Sequence, residues 1–385
     1  MEEIIELESI YHAITDYVNS LPDLDTMFTK LKHAVLKRVE SETRNLNWIS
    51  NTFKILISNK ILSRMGKRED YQLAHAEIAR ILSHMKTRAQ GLTGILNLMN
   101  SHANLYSNEK NLLALRSLNK YIMDIRQIEP LINNDLFCTF SDAYFMTPIL
   151  KDEGIVVLSL ALYDIFKVWK WILLLHEIGH IIYPYYKSKL VSKFRNRILP
   201  LLNETVPRGY EQQASVLIKL WEREWLEEIF SDLYATSLGG LAYTKAFIIE
   251  AYSGEVSEGT QFHPALIARV YSQMEYISNS SSGAISQQLN DTKTAWNRFV
   301  QSLSETEYPY PFTIDVLDEI VNMFTELVGK PRYLDYINDI TTISLEADKI
   351  ERKSPLRLII ALNLSSSKYD SEVNQKILKV IAEDR

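Results

Sequence analysis

The residues that most constrain this chain are His176-Glu177-Ile178-Gly179-His180, the only ionisable positions in an otherwise uncharged, apolar run from Trp171 to Tyr183. The pattern H-E-x-x-H predicts a helix, because residues four apart on a helix lie one above the other on the same face. His176 and His180 can then offer imidazole nitrogens to one metal ion. Glu177 sits beside the first of them, within reach of a proton on a water at the metal. The apolar flanks mark a helix running through the centre of a domain. A carboxylate between two histidines in such surroundings needs a partner.

A catalytic zinc site uses three protein ligands and one open position. The extended pattern with a following glycine and third histidine is absent, since Tyr183 and Tyr186 stand at those positions. Pro184 predicts that the helix stops after Tyr183. The third ligand is expected from a second helix, Ser215 to Leu238, where Glu228-Ile229-Phe230-Ser231-Asp232 places two carboxylates on one face. Glu228 is favoured as the ligand. Asp232, one turn on, can accept the free N–H of His176 and fix its tautomer. Glu227 is the rival ligand, but it has no carboxylate four residues later.

Together, His176-Glu177-x-x-His180 and Glu228-x-x-Ser231-Asp232 resemble the gluzincin branch of zinc metallopeptidases, the thermolysin-like arrangement. The longer stretch Glu228 to Tyr243, followed by His263-Pro264-x-x-x-x-Arg269, also resembles uncharacterised cytoplasmic H-E-x-x-H proteins of prokaryotes. The resemblance covers roughly residues 150 to 270. It implies Zn2+ held by His176, His180 and Glu228, Glu177 as general base, and Asp232 orienting His176. Gluzincins can also use a histidine or tyrosine to donate to the developing oxyanion, which makes His263 a candidate catalytic residue and Tyr243 or Tyr271 its substitutes. Pro264 suits a first helical turn and would put His263 at a helix N-terminus. Arg269 is expected to pair with a buried carboxylate.

Charge and cysteine content narrow the classes. A net charge of -6 with no dense basic run argues against a nucleic-acid partner. Lys193, Arg195 and Arg197 read as a solvated helix face. The single cysteine, Cys138, excludes an internal disulfide and suits a reducing compartment. The N-terminus is acidic and lacks a signal-peptide pattern. Asp164, Lys167, Lys170, His176 and Glu177 break the most apolar stretch into pieces shorter than the ~18 residues of a membrane span. The expectation is a cytoplasmic protein with no membrane segment.

The expected fold is mainly α (α+β): a zincin-like catalytic core with a small β-sheet over 131–289, flanked by helical regions over 1–130 and 290–385. Met27, Phe28, Leu31 and Val35 form one helical stripe in the N-terminal region; Tyr71, His75, Ile78, Leu82 and Met85 form another. Breaks are expected near 19–22, at Gly66 and over 101–108. His12, His33, His75, His84 and His102 lack ligand spacing and read as core or surface residues. Residues 136–140 and 155–160 read as strands, and an edge of the second could pair with an extended peptide. The sequence thus points to a zinc-dependent hydrolase, a metallopeptidase acting on a peptide or protein. The alternative is a helical regulatory or binding protein that retains a structural or latent zinc site, with its N-terminal helices as the surface for a protein partner.

Overall fold

The computed structural model describes residues 2–58, 68–141, 145–209, 211–251, 259–278, 284–302, 310–335 and 353–383, together with 340, 343, 345 and 350. The chain is mainly helical with one three-stranded sheet. It divides into two compact units, residues 1–115 with 133–162, and residues 116–132 with 163–385. These divisions differ from the limits near 130 and 290 that the sequence suggests. All three strands lie in the unit of the N-terminal helices.

In the first unit, helices α1 (Glu2–Ser20), α2 (Thr26–Ser58) and α3 (Arg68–Leu105) are joined by the sheet and by the start of α4 (Glu109–Ile128). The breaks fall near 21–25 and 106–108, as expected, and Gly66 lies outside the described residues. The stripe Phe28, Leu31 and Val35 is fully buried and meets Leu92, Met99 and Val157 in one core. Leu82 and Met85 of the second stripe join it, while the side chains of Tyr71 and His75 lie outside the described residues. Strand β3 (Ile155–Ala161) is central. It pairs in parallel with β1 (Asp135–Ser141) and antiparallel with β2 (Phe145–Thr147). Every residue of β3 is buried, as a continuous Val/Leu/Ile-rich run should be when both faces are covered. β1 thus occupies one of its edges along the whole strand and β2 the other over Val157–Ser159, which leaves no free edge at its centre for the peptide pairing suggested for it. Cys138 is buried in β1, and burial pushes its thiol well above the ordinary range.

Asp25 caps α2, accepting the Phe28 backbone N–H at 2.7 Å. Tyr106 also donates to its carboxylate, and the buried His102 lies 3.8 Å away, hydrogen-bonded through Nδ1 to Thr139. Burial works against the charged form of Asp25, but His102, Tyr106 and the Phe28 amide hold its carboxyl well below the usual range. A carboxyl whose folded pKa is depressed contributes stability above its unfolded value, near ~4, and that stability is lost as pH falls through the folded value. Asp25→Ala is expected to cost about 1 kcal/mol at pH 7. Asp25→Asn should shrink the loss of thermal stability between pH 7 and pH 3; an unchanged acid slope in that variant would refute the assignment.

In the second unit the regular secondary structure of the described residues is all helical. Helix α5 (Leu174–Lys193) runs on through a π turn, Phe194–Ile198, into α6 (Leu199–Glu204). Pro184 lies inside α5, so the expected stop after Tyr183 is wrong. An interior proline costs roughly 3 kcal/mol. Burial of Leu190, Phe194 and Ile198 beyond it, at ~1.5–3 kcal/mol each, outweighs that cost. Lys193, Arg195 and Arg197 pair with Glu326, Glu222 and Glu319.

The expected second helix is longer than 215–238. It comprises α7 (Glu211–Leu220), a π turn over Trp221–Trp225 and α8 (Leu226–Ala251). Nearly all of α8 as far as Phe247 is buried, against α5, α9 (Leu266–Ser278) and the apolar helix Pro355–Leu364. Gly240 interrupts α8 with φ 56°, and a Cβ there would lie 2.8 Å from the Tyr333 ring, so only glycine fits. No helix among the described residues is long and apolar enough to cross a membrane.

Candidate metal centre

In the first half of α5, residues Leu174, Leu175, Ile178, Gly179, Ile181, Ile182 and Tyr183 are buried, and between Leu174 and Tyr183 only His176, Glu177 and His180 retain partial exposure. That face meets α8. The two helices run antiparallel, with His176 level with Asp232 and His180 level with Glu227. Gly179 makes the approach close, because a Cβ on it would lie 2.5 Å from the Ser231 Cα.

The Nε2 atoms of His176 and His180 lie 3.1 Å apart. Glu228 faces both, with Oε2 at 3.4 Å from His176 Nε2 and Oε1 at 3.3 Å from His180 Nε2. Behind them, His176 Nδ1 lies 2.9 Å from Asp232 Oδ1, and His180 Nδ1 donates to Glu227 Oε1 at 3.0 Å. In the neutral imidazoles these carboxylates favour the proton on Nδ1, which leaves each Nε2 to present a lone pair. Two lone pairs and a carboxylate then converge with no hydrogen between them. Glu228 Oε2 is buried and accepts no hydrogen bond among the described residues. Such a cluster of acceptors draws positive charge, and the Arg269 guanidinium already stands 3.4 Å from Glu228 Oε2.

A divalent ion fits. Tetrahedral ligands at ~2.0–2.1 Å from zinc are separated from one another by about 3.3 Å; the two Nε2 atoms lie 3.1 Å apart, and the Glu228 carboxylate reaches His180 with Oε1 at 3.3 Å and His176 with Oε2 at 3.4 Å. His176, His180 and Glu228 are the group of described residues able to hold a metal ion. Glu227, the rival ligand, does not face the imidazole lone pairs.

The surrounding carboxylates favour positive charge at this point, as protons on the imidazoles or as a bound ion. Burial would lower the pKa of His180, but Glu227 and Glu228 outweigh it and raise it to about 10. His176 is raised in the same way, burial being opposed chiefly by Asp232. Glu228 is held well below the usual carboxylate range despite its burial, by the two imidazoles and the Arg269 charge. Asp232 is fully buried yet lowered to about 2, because Arg269 and His176 offset its desolvation. Arg269 forks onto it, Nε to Oδ2 at 2.6 Å and Nη2 to Oδ1 at 2.9 Å, and lies over the Phe247 ring. Arg269 thus meets the buried carboxylate expected of it.

Tyr243 also donates to Asp232 Oδ1, at 2.9 Å. Its hydroxyl is committed there, and that of Tyr271 to Asp318, so neither stands free as an oxyanion donor. His263 Nε2 lies 3.8 Å from Glu228 Oε2 with its side chain 56% exposed. Burial of the ring and the nearby Arg269 charge lower its pKa against the pull of Glu228, favouring a neutral N–H donor. His263 is not at a helix N-terminus as expected. Helix α9 begins at Leu266, the Ala265 carbonyl accepts its first N–H groups, and Pro264 precedes it. The loop is tethered instead: Thr260 Oγ1 accepts the His263 N–H at 2.9 Å, and Trp225 Nε1 donates to the Thr260 carbonyl at 2.9 Å. The π turn that precedes Glu228 therefore also anchors the His263 loop.

Glu177 is half-buried, and no described residue forms a hydrogen bond or ion pair with its carboxylate. Its charge is felt at both His180 and Tyr243. Two roles escaped the sequence reading, Glu227 behind His180 and Trp225 behind the loop. The adjacent Glu227-Glu228 pair was a visible signal for the first; nothing in the sequence marks the second. No family model matches the chain, and no curated protein or solved structure matches it.

Proposed function

We propose that this protein is a zinc-dependent hydrolase, a metallopeptidase of gluzincin type, with His176, His180 and Glu228 as the metal ligands. One observation carries the proposal: two imidazole lone pairs and a carboxylate converge from two helices, each imidazole backed by a carboxylate, with Glu177 adjoining. A divalent ion bound there supplies Lewis acidity, bringing the pKa of a water towards ~7 and polarising a substrate carbonyl.

The chain's own residues do the rest. Glu177 takes a proton from the attacking water and returns it to the leaving amine. Asp232 and Glu227 hold the imidazoles in the tautomer that faces the metal. His263, neutral and half-exposed at the rim, donates to the oxyanion. Three protein donors leave a position open, and side-chain exposures of 15% for each histidine and 12% for Glu228 leave solvent a route to it. Both features support hydrolysis over a structural zinc enclosed by four protein ligands.

Metal analysis of the purified protein tests the reading. About one zinc per chain is expected, lost in His176→Ala and in Glu228→Ala, together with chelator-sensitive cleavage of a mixed peptide library. A wild-type chain that takes up no divalent metal, or variants that retain it, would sink the proposal.

A further inference from the structure

We infer that Glu227 is a positioning residue for His180, so that helix α8 supplies the third metal donor and the carboxylates behind both imidazoles. The inference rests on the metal-site reading above and adds to it a residue whose spacing alone did not reveal its role.

The antiparallel pairing explains how one helix does this. Neighbours on a helix point about 100° apart, so Glu227 and Glu228 cannot face the same point. Glu228 looks into the gap between the two Nε2 atoms, and Glu227 looks past it to the outer nitrogen of His180, at 3.0 Å. The five steps from Glu227 to Asp232 rise about 7.5 Å, and the four from His176 to His180 about 6 Å. The two carboxylates thus bracket the two histidines from outside, and Glu228 lies between them.

The two brackets are built differently. Asp232 is fully buried and fixed by Arg269, Tyr243 and His176. Glu227 is 30% exposed, and among the described residues His180 is its hydrogen-bond partner. Apart from Glu227, no described residue holds His180 Nδ1. Without it the ring can rotate about its Cβ–Cγ bond, and either nitrogen can carry the proton. The Nε2 lone pair is then no longer pinned towards the metal position.

Glu227→Ala is expected to weaken Zn2+ and Co2+ binding about 10–100-fold. The affinity would be measured by competition with a chromophoric chelator on the full chain. Glu227→Gln keeps an acceptor oxygen for the Nδ1–H, so it should stay within a few-fold of wild type. The visible absorption of the cobalt-loaded protein reports ligand geometry directly. It should change in Glu227→Ala and return in Glu227→Gln, which a merely structural role for Glu227 would not produce.

Wild-type affinity and spectrum in Glu227→Ala would overturn the inference. So would equal losses in the two variants, or retention of metal by Glu228→Ala with its loss in Glu227→Ala, which would make Glu227 the ligand. Failure of the wild-type chain to bind either ion would refute the metal site itself. A wild type that binds beside a Glu227→Ala that binds as tightly would refute only the role of Glu227.

Discussion

Glu177→Gln is expected to abolish turnover, by about 10²–10⁴-fold, while the protein keeps its fold and its metal. The substitution is nearly isosteric and replaces a proton acceptor by an amide that cannot take a proton at neutral pH. Glu177 is not one of the donors of the cluster His176, His180 and Glu228, and no described residue relies on its carboxylate for a hydrogen bond or ion pair. Metal content and thermal stability should therefore match wild type. This pattern separates it from His176→Ala, where activity and metal disappear together. Peptide cleavage and zinc content measured on the same preparations decide the matter. Activity within tenfold of wild type in Glu177→Gln would remove the general base from the mechanism, and loss of metal in that variant would make Glu177 a structural element of the site.

The donor set was legible because it depends on local geometry. The four-residue steps from His176 to His180 and from Glu228 to Asp232 guarantee shared faces wherever the helices happen to lie. Arg269 was legible for a related reason: a guanidinium in an apolar helix has to find an anion, and Asp232 was there. The strands over 136–140 and 155–160 were readable as short β-branched or aromatic runs, but β2 and the central place of β3 depend on pairing between distant residues.

The errors trace to long-range packing. Pro184 carries a strong local stop signal, overridden by apolar residues a full turn or more beyond it. The choice between Glu227 and Glu228 depends on the rotational phase of α8, which the π turn at Trp221–Trp225 helps to set. No hydrophobic periodicity announces that turn. Its aromatic residues pack on Phe194 and Phe312, far off in sequence. The same packing decides where the His263 loop is tied.

Gly179→Ala tests whether the meeting of α5 and α8 is as tight as the site requires. Position 179 lies between His176 and His180, the two proposed histidine ligands, and an added Cβ would sit 2.5 Å from the Ser231 Cα and 2.8 Å from its carbonyl oxygen. These are backbone atoms of a buried helix, and no rotamer change can relieve the clash. The helices must separate. Overpacking of this kind costs about 1–3 kcal/mol, and the rigid backbone on both sides places this case at the upper end. For a unit of this size that corresponds to a fall in Tm of roughly 6–12 °C. Separation also carries His176 and His180 away from Glu228, so zinc affinity should drop with stability. Gly94→Ala provides the contrast. A Cβ there meets nothing within 4 Å, and in a helix interior the substitution should stabilise by about 0.4–1 kcal/mol. Thermal unfolding and zinc titration of both variants are expected to move in opposite directions for stability, with affinity changed only in Gly179→Ala. If Gly179→Ala melted and bound zinc like wild type, the close helix contact that brings the three ligands together would have to be abandoned.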